Sequence, residues 1–239
     1  MKGYFITQIE RIRLLTSSFS TKPSFLTYTM AEPILWISPG ACSLAPHILL
    51  HEAGTEFKTV VIHAKAGFPS ELLHLNPKAR VPIFQLGDET ITEVPAILTA
   101  ISQLSPNKQL LGKTNLEIVR TYEWFNWISG TLHGQAFGGM RRPSRFSDDP
   151  QTYDSIKAKG RKAVEESFAY IEETLRGSHA VGDAFTAVDA YLIVMYRWGN
   201  EIGVDMRVKY PKFTGLILEA LRRDSVKAAI EKEGIEFWF

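Results

Sequence analysis

The chain has 239 residues, 45% hydrophobic and 22% charged, enough apolar content for one large domain or two small ones. Its 27 basic and 26 acidic side chains leave a formal charge of +1, which gives no electrostatic footprint for nucleic acid or an anionic membrane surface. One cysteine excludes an internal disulfide framework, and without CxxC or a His/Cys cluster no metal is expected.

Residues 1–29 differ from the rest: Lys2, Arg11, Arg13 and Lys22 face the single acid Glu10, with a Ser/Thr cluster from Thr16 to Thr21. Acid-poor, Ser- and Arg-containing N-termini resemble mitochondrial transit peptides. The competing readings are a disordered extension, or a start at Met30, four residues before the first strand. A dispensable extension over residues 1–30 is the preferred reading. No apolar stretch approaches the ~20 residues of a transmembrane helix, so a reducing, cytoplasmic setting is expected.

Ile34-Leu35-Trp36-Ile37 reads as a strand, Pro39-Gly40 as a turn, and Leu44 to Ala53 as a helix closed by Gly54. That places Cys42 at a helix N-terminus, beside amides with no intrahelical partner. Such amides and the helix dipole favour an anion, so Cys42 is expected to be more acidic than a free thiol. The competing reading is a buried cysteine acting as a small apolar residue.

Thr59 to Ile62 is a second strand, and Ile83 to Leu86 with Thr90 to Thr92 form a hairpin around Gly87-Asp88-Glu89. Ala96 to Leu104 is the helix that closes this half. A β-α-β unit followed by β-β-α is the thioredoxin-like order. Val81-Pro82, just before a strand, is where such folds keep a cis-proline; the alternative is a trans proline opening an edge strand.

Ser105 to Thr114 is polar and joins residues 31–105 to an all-helical half, residues 115–239. Leu116 to Phe137 reads as one long helix. At α-helical spacing Glu123, Asn126, Gly130 and His133 share a face, and Gly130, Gly134 and Gly138 would let another backbone approach. Gly139 to Pro150 carries Arg141, Arg142 and Arg145, either as a solvated loop or near an anionic substrate or cosubstrate group. Asp149-Pro150 starts a helix running to Arg176. Thr186-Ala187-Val188-Asp189 reads as a capping box, and the apolar run Tyr191 to Tyr196 behind it as a central helix. Pro211 to Arg223 and Ser225 to Glu233 give two shorter helices, and Phe237-Trp238-Phe239 an apolar tail that docks.

Five blocks, in order, carry a family resemblance. They are Ser38-Pro39-Gly40-Ala41-Cys42-Ser43-Leu44-Ala45-Pro46-His47, Asn76-Pro77-Lys78-Ala79-Arg80-Val81-Pro82, and Leu86 to Ile97. The others are Glu123-Trp124-Phe125-Asn126-Trp127-Ile128-Ser129-Gly130-Thr131-Leu132-His133 and Phe185 to Leu192 with Arg197-Trp198. Together they resemble the glutathione transferases, beta class above all, over roughly residues 34–235.

The resemblance implies an α/β thioredoxin-like N-terminal domain plus an all-α C-terminal domain, with glutathione as cosubstrate between them. It implies Cys42 and His133 around the glutathione sulfur, and Ala41, Ser43, Ala64, Arg80, Val81, Pro82, Glu93 and Val94 around the rest of the ligand. Val81 would pair with the cysteinyl backbone, and Glu93 with the Val94 amide would hold the γ-glutamyl group. Valine at 94, where many relatives have serine or glycine, implies weaker glutathione binding. Asn126 would reach the ligand of a neighbouring subunit, which implies a homodimer. Phe137, Met140 and Trp198, with His133, would form the pocket for a small hydrophobic electrophile. The implied activity is glutathione transfer in detoxification or secondary metabolism. Two alternatives are a glutathione-dependent cis-trans isomerase of a conjugated alkene and a non-catalytic glutathione-binding module.

Overall fold

The computed structural model describes residues 32–64 and 67–237. The readings of residues 1–29 as a transit peptide or extension lie outside the described residues, as do Trp238 and Phe239. Strand β1 (Ile34–Ile37) buries Leu35 and Ile37 on one face, the alternation expected of a half-covered strand. It pairs in parallel with β2 (Lys58–Val61) and antiparallel with β3 (Ile83–Leu86). A hairpin through Gly87, at φ +61°, adds β4 (Glu89–Thr92), so the mixed sheet has the order β2-β1-β3-β4. Helix α1 (Leu44–Ala53) ends on Gly54 in the left-handed conformation, and α2 (Val94–Leu104) starts two residues before Ala96 because Pro95 is tolerated in a first turn. The thioredoxin-like order is present, and the Val81-Pro82 bond is cis.

The second half is all helical. Helix α3 (Asn115–Trp127) opens on a capping box between Thr114 and Glu117. The expected single helix to Phe137 changes character partway: Ile128–Phe137 is π-helical before α4 (Gly138–Arg141) resumes. An i→i+5 pattern turns each residue less about the axis than an α-helix does. The predicted stripe therefore splits, with Asn126 exposed and His133 turned inward. The close backbone contact also differs from the expected one. Gly130 has open space at its Cβ position, whereas a Cβ on Gly160 would lie 2.5 Å from the Met140 amide nitrogen.

Asp149 does cap the next segment, accepting from the Gln151 amide at 2.9 Å, but the first turn, Pro150–Thr152, is a 3-10 helix. Helix α5 (Tyr153–Thr174) follows. The buried capping box at Thr186 starts α6 (Ala187–Glu201), whose residues Ala187 to Gly199 are all buried. Helices α7 (Met206–Lys209), α8 (Pro211–Ala220) and α9 (Asp224–Glu233) complete the half. Phe237 docks on Tyr196, ring centroids 6.4 Å apart. Helix α1 packs against α2, α6 and α9, so the Cys42 turn at its start is held from both halves.

Candidate functional site

The turn after β1 is built around Gly40. Its φ of +72° is costly for any residue with a Cβ, and a Cβ there would lie 2.8 Å from Arg197 Nη1. The Gly40 amide donates to Glu233 Oε2 at 2.8 Å, while its carbonyl accepts from Trp198 Nε1 at 2.9 Å and Arg197 Nη1 at 3.3 Å. Glu233 is also fixed by His47 Nδ1 at 2.9 Å, both side chains being fully buried. Helices α6 and α9 thus clamp the loop that carries Cys42.

Cys42 precedes the first helical residue by two positions, and its thiol donates to the Val81 carbonyl at 3.5 Å. Burial pushes this thiol up to about 12, against the lowering influence of Arg142 and Arg80. The expectation of an acidic Cys42 is therefore corrected: loss of water outweighs the turn amides and the nearby guanidinium groups. The Val81 amide makes no hydrogen bond among the described residues, and the cis bond to Pro82 sets it in the cavity wall.

Glu93 caps α2 with φ +73°, an uncommon conformation for a residue with a side chain. Its carboxylate meets Lys78 Nζ at 2.6 Å, and Val94 beside it is buried. From the π-helical segment, His133 Nδ1 lies 2.9 Å from the Tyr191 hydroxyl. Ser129 also hydrogen-bonds Tyr191, and burial drives the phenol pKa upward, keeping it protonated. With Ser129 donating to Tyr191 and Tyr191 donating to Nδ1, the imidazole proton is assigned to Nε2. Burial, reinforced by Arg142, Arg141, Arg80 and Arg145, lowers the His133 pKa to about 4. The ring is neutral at physiological pH and offers one N–H.

These groups line one cavity of about 580 Å³ between the two halves. Of the residues singled out in the sequence, Ala41, Cys42, Ala64, Arg80, Val81, Pro82, Glu93, Val94, His133, Phe137 and Trp198 lie in its wall. Three do not. The Ser43 hydroxyl is buried against Ser38, accepting from its amide at 3.1 Å and donating to its carbonyl at 3.2 Å. Asn126 faces outward with its amide on the Tyr122 carbonyl at 2.9 Å. Met140 packs against the core instead of opening onto the cavity.

The wall also contains Tyr191, Ser129, Phe68, Phe146 and Glu201, which sequence reasoning did not assign to the site. Tyr191 sits in an apolar run and reads as core; only its hydroxyl distinguishes it. The arginine loop is part of the wall too, through Arg141, Arg142 and Arg145. Arg141 bonds Glu201 at 3.0 Å and stacks 4.5 Å from the Trp198 ring. No group of three or more potential metal ligands occurs among the described residues.

Comparison with known proteins gives a consistent picture. The glutathione S-transferase N-terminal domain family matches residues 31–103, and the C-terminal domain family residues 136–224. The glutathione S-transferase GstA of Escherichia coli O157:H7 is 32% identical over 208 residues, covering 84% of this chain and 99% of that protein. A glutathione transferase homologue from Sulfitobacter, solved with bound glutathione, has a TM-score of 0.80 at 26% identity, covering 86% of this chain and 99% of that one. The bacterial beta-class glutathione S-transferase of Sphingomonas chungbukensis has a TM-score of 0.74 at 33% identity, covering 85% of this chain and all, 100%, of that one.

Proposed function

The chain belongs to the glutathione S-transferase family, and on that premise we propose that it binds glutathione and activates its thiol for addition to a small electrophile. The observation that carries this reading is the meeting, in one cavity, of Cys42, the cis Val81-Pro82 turn, the start of α2 and His133. Val81 would pair through its free amide with the cysteinyl backbone. The α2 N-terminus would hold the γ-glutamyl carboxylate through the Val94 amide, and Glu93 the amine.

Glutathione's sulfur would then lie near Cys42 and His133. Cys42 stays protonated, its S–H directed at the Val81 carbonyl, so the nucleophile is glutathione's own sulfur, in place of an enzyme thiolate. The His133 Nε2–H donates to the glutathione thiolate. Arg142 and Arg80, which favour an anion at Cys42, act on a ligand sulfur beside it in the same sense. In transfer to an aryl chloride a carbon–sulfur bond forms, the carbon–chlorine bond breaks, chloride leaves and the thiol proton passes to solvent.

We further propose a homodimer in which α3 forms the contact. Leu116, Val119 and Tyr122 expose apolar side chains along it, 65%, 61% and 39% exposed. Asn126 lies one turn beyond on the same helix, where a partner's ligand would be within its reach. A cytoplasmic setting suits a site holding one free thiol. Two measurements test the reading: calorimetry with millimolar glutathione, and glutathione-dependent chloride release from 1-chloro-2,4-dinitrobenzene. No heat and no turnover would overturn it.

A further inference from the structure

The guanidinium groups lining the cavity outnumber the carboxylates there. Four arginines line it, Arg80, Arg141, Arg142 and Arg145, against two glutamates, Glu93 and Glu201. Both glutamates are already engaged: Glu93 with Lys78, and Glu201 with Arg141 and Arg197. Arg141 is consumed by that contact and by stacking on Phe137 and Trp198. Arg142 and Arg145 are different, since neither side chain has an ion pair or hydrogen bond among the described residues.

Unpaired like charges at a shared wall repel one another, and an anion placed between them relieves that repulsion. The repulsion shows in Arg145, whose pKa is lowered by burial and then by Arg142 and Arg80. Phe146, on the same loop, and Phe137 line the same cavity as Arg142 and Arg145. Planar guanidinium groups match a carboxylate in charge and in bidentate geometry.

We propose that Arg142 and Arg145 form a receptor for the carboxylate of the second substrate, so that this site takes aromatic or conjugated electrophiles bearing an acid group. The proposal rests on the transferase reading above and narrows its substrate class. The same carboxylate chemistry is present in glutathione's glycyl end, so the test keeps the two sources apart.

Calorimetry on the full chain, with saturating glutathione present, measures the Kd of unreactive 3,5-dinitrobenzoate and of its methyl ester. The wild type is expected to prefer the acid by about tenfold or more, since a hydrogen bond to a charged group is worth about a decade. R142Q/R145Q removes that preference, the single variant R145Q reduces it, and Arg142→Lys retains part of it because the charge remains. No preference in the wild type overturns the proposal, as does a preference that survives in R142Q/R145Q. A preference seen without glutathione and abolished by adding it also overturns the proposal, because glutathione's own carboxylate would then occupy the arginines. Chloride release from 1-chloro-2,4-dinitrobenzene is followed separately; its absence counts against the transferase reading and leaves the ligand preference to be read by itself.

Discussion

Replacing Gly40 by alanine tests how the Cys42 turn is held. Two costs arise at this position. A residue with a Cβ at φ +72° loses about 1–2 kcal/mol relative to glycine. The new methyl would also sit 2.8 Å from Arg197 Nη1, and that guanidinium cannot swing away freely. It is tied to Glu201 Oε1 at 2.5 Å and to the Gly40 carbonyl at 3.3 Å. Displacing it sacrifices at least one hydrogen bond, about 1 kcal/mol. Alanine restricts the unfolded chain and returns about 0.5–1 kcal/mol. The net is a loss of about 2 kcal/mol, or about 4–8 °C in Tm for a chain of this size. Gly54→Ala is the control, because Gly54 has φ +70° but nothing within 4 Å of its Cβ position. It bears the backbone cost alone. Thermal unfolding followed by circular dichroism on both variants isolates the Arg197 contact as the difference between them. Equal losses in the two variants would refute the claim that helix α6 clamps the turn. A Gly40→Ala variant that unfolds at the wild-type temperature would refute the whole reasoning.

Four other outcomes are expected. Because the folded His133 pKa is about 4, below its unfolded value near 6.5, the unfolded chain binds more protons between those values. Stability from this residue is thus present above pH 6.5 and is lost as pH falls toward 4, by at most about 3 kcal/mol; urea unfolding against pH should flatten over that window in His133→Gln. With its thiol pushed up to about 12, Cys42 should react slowly with iodoacetamide at pH 7, and the alkylation rate should still be rising at pH 10. Gly160→Ala should destabilise by about 1–3 kcal/mol despite alanine's better helix propensity, because its Cβ would meet backbone at 2.5 Å; urea unfolding reads this directly. Val119→Glu should yield monomer in sedimentation at micromolar concentration while leaving the circular dichroism spectrum of the wild type.

The parts of the fold that local chemistry dictates were legible in the sequence. The apolar run Ile34 to Ile37, Gly54 after α1, the hairpin at Gly87 and the Thr186 capping box each have a nearby physical cause, and each is found where expected. The cis bond at Val81-Pro82 was read from the five-block resemblance, since a trans proline is the default from residue type alone. What escaped depended on long-range placement. Nothing in Ile128 to Phe137 announces a π-helix, so α-helical spacing puts Asn126 and His133 on one face, where the wider turn separates them. Met140 is a pocket residue by the resemblance, yet it packs against the core instead of lining the cavity. A helix N-terminus is visible in sequence and desolvation is not, so the sequence suggests an acidic Cys42 where burial in fact raises the thiol.

The burial of Cys42 bears on which sulfur reacts. A turn that exposed Cys42 to water would let the helix amides and Arg142 produce an enzyme thiolate, and the chemistry would run through a mixed disulfide. Instead the Gly40 clamp from Trp198, Arg197 and Glu233 presses the turn into the helical half, and Cys42 is only 8% exposed. Arg142 and Arg145 line the same cavity, where a ligand's sulfur and acid group would sit. Positive potential is thereby delivered to the ligand and withheld, by desolvation, from the enzyme's own thiol. Cys42→Ala should accordingly lose thiol exchange while keeping most of its addition activity. His133→Ala should lose at least as much addition activity, because the Nε2–H is removed from the sulfur that reacts. Initial rates of glutathione addition to 1-chloro-2,4-dinitrobenzene order the two variants, and a Cys42→Ala enzyme inactive beside a nearly unaffected His133→Ala would show that the enzyme's own sulfur is the nucleophile.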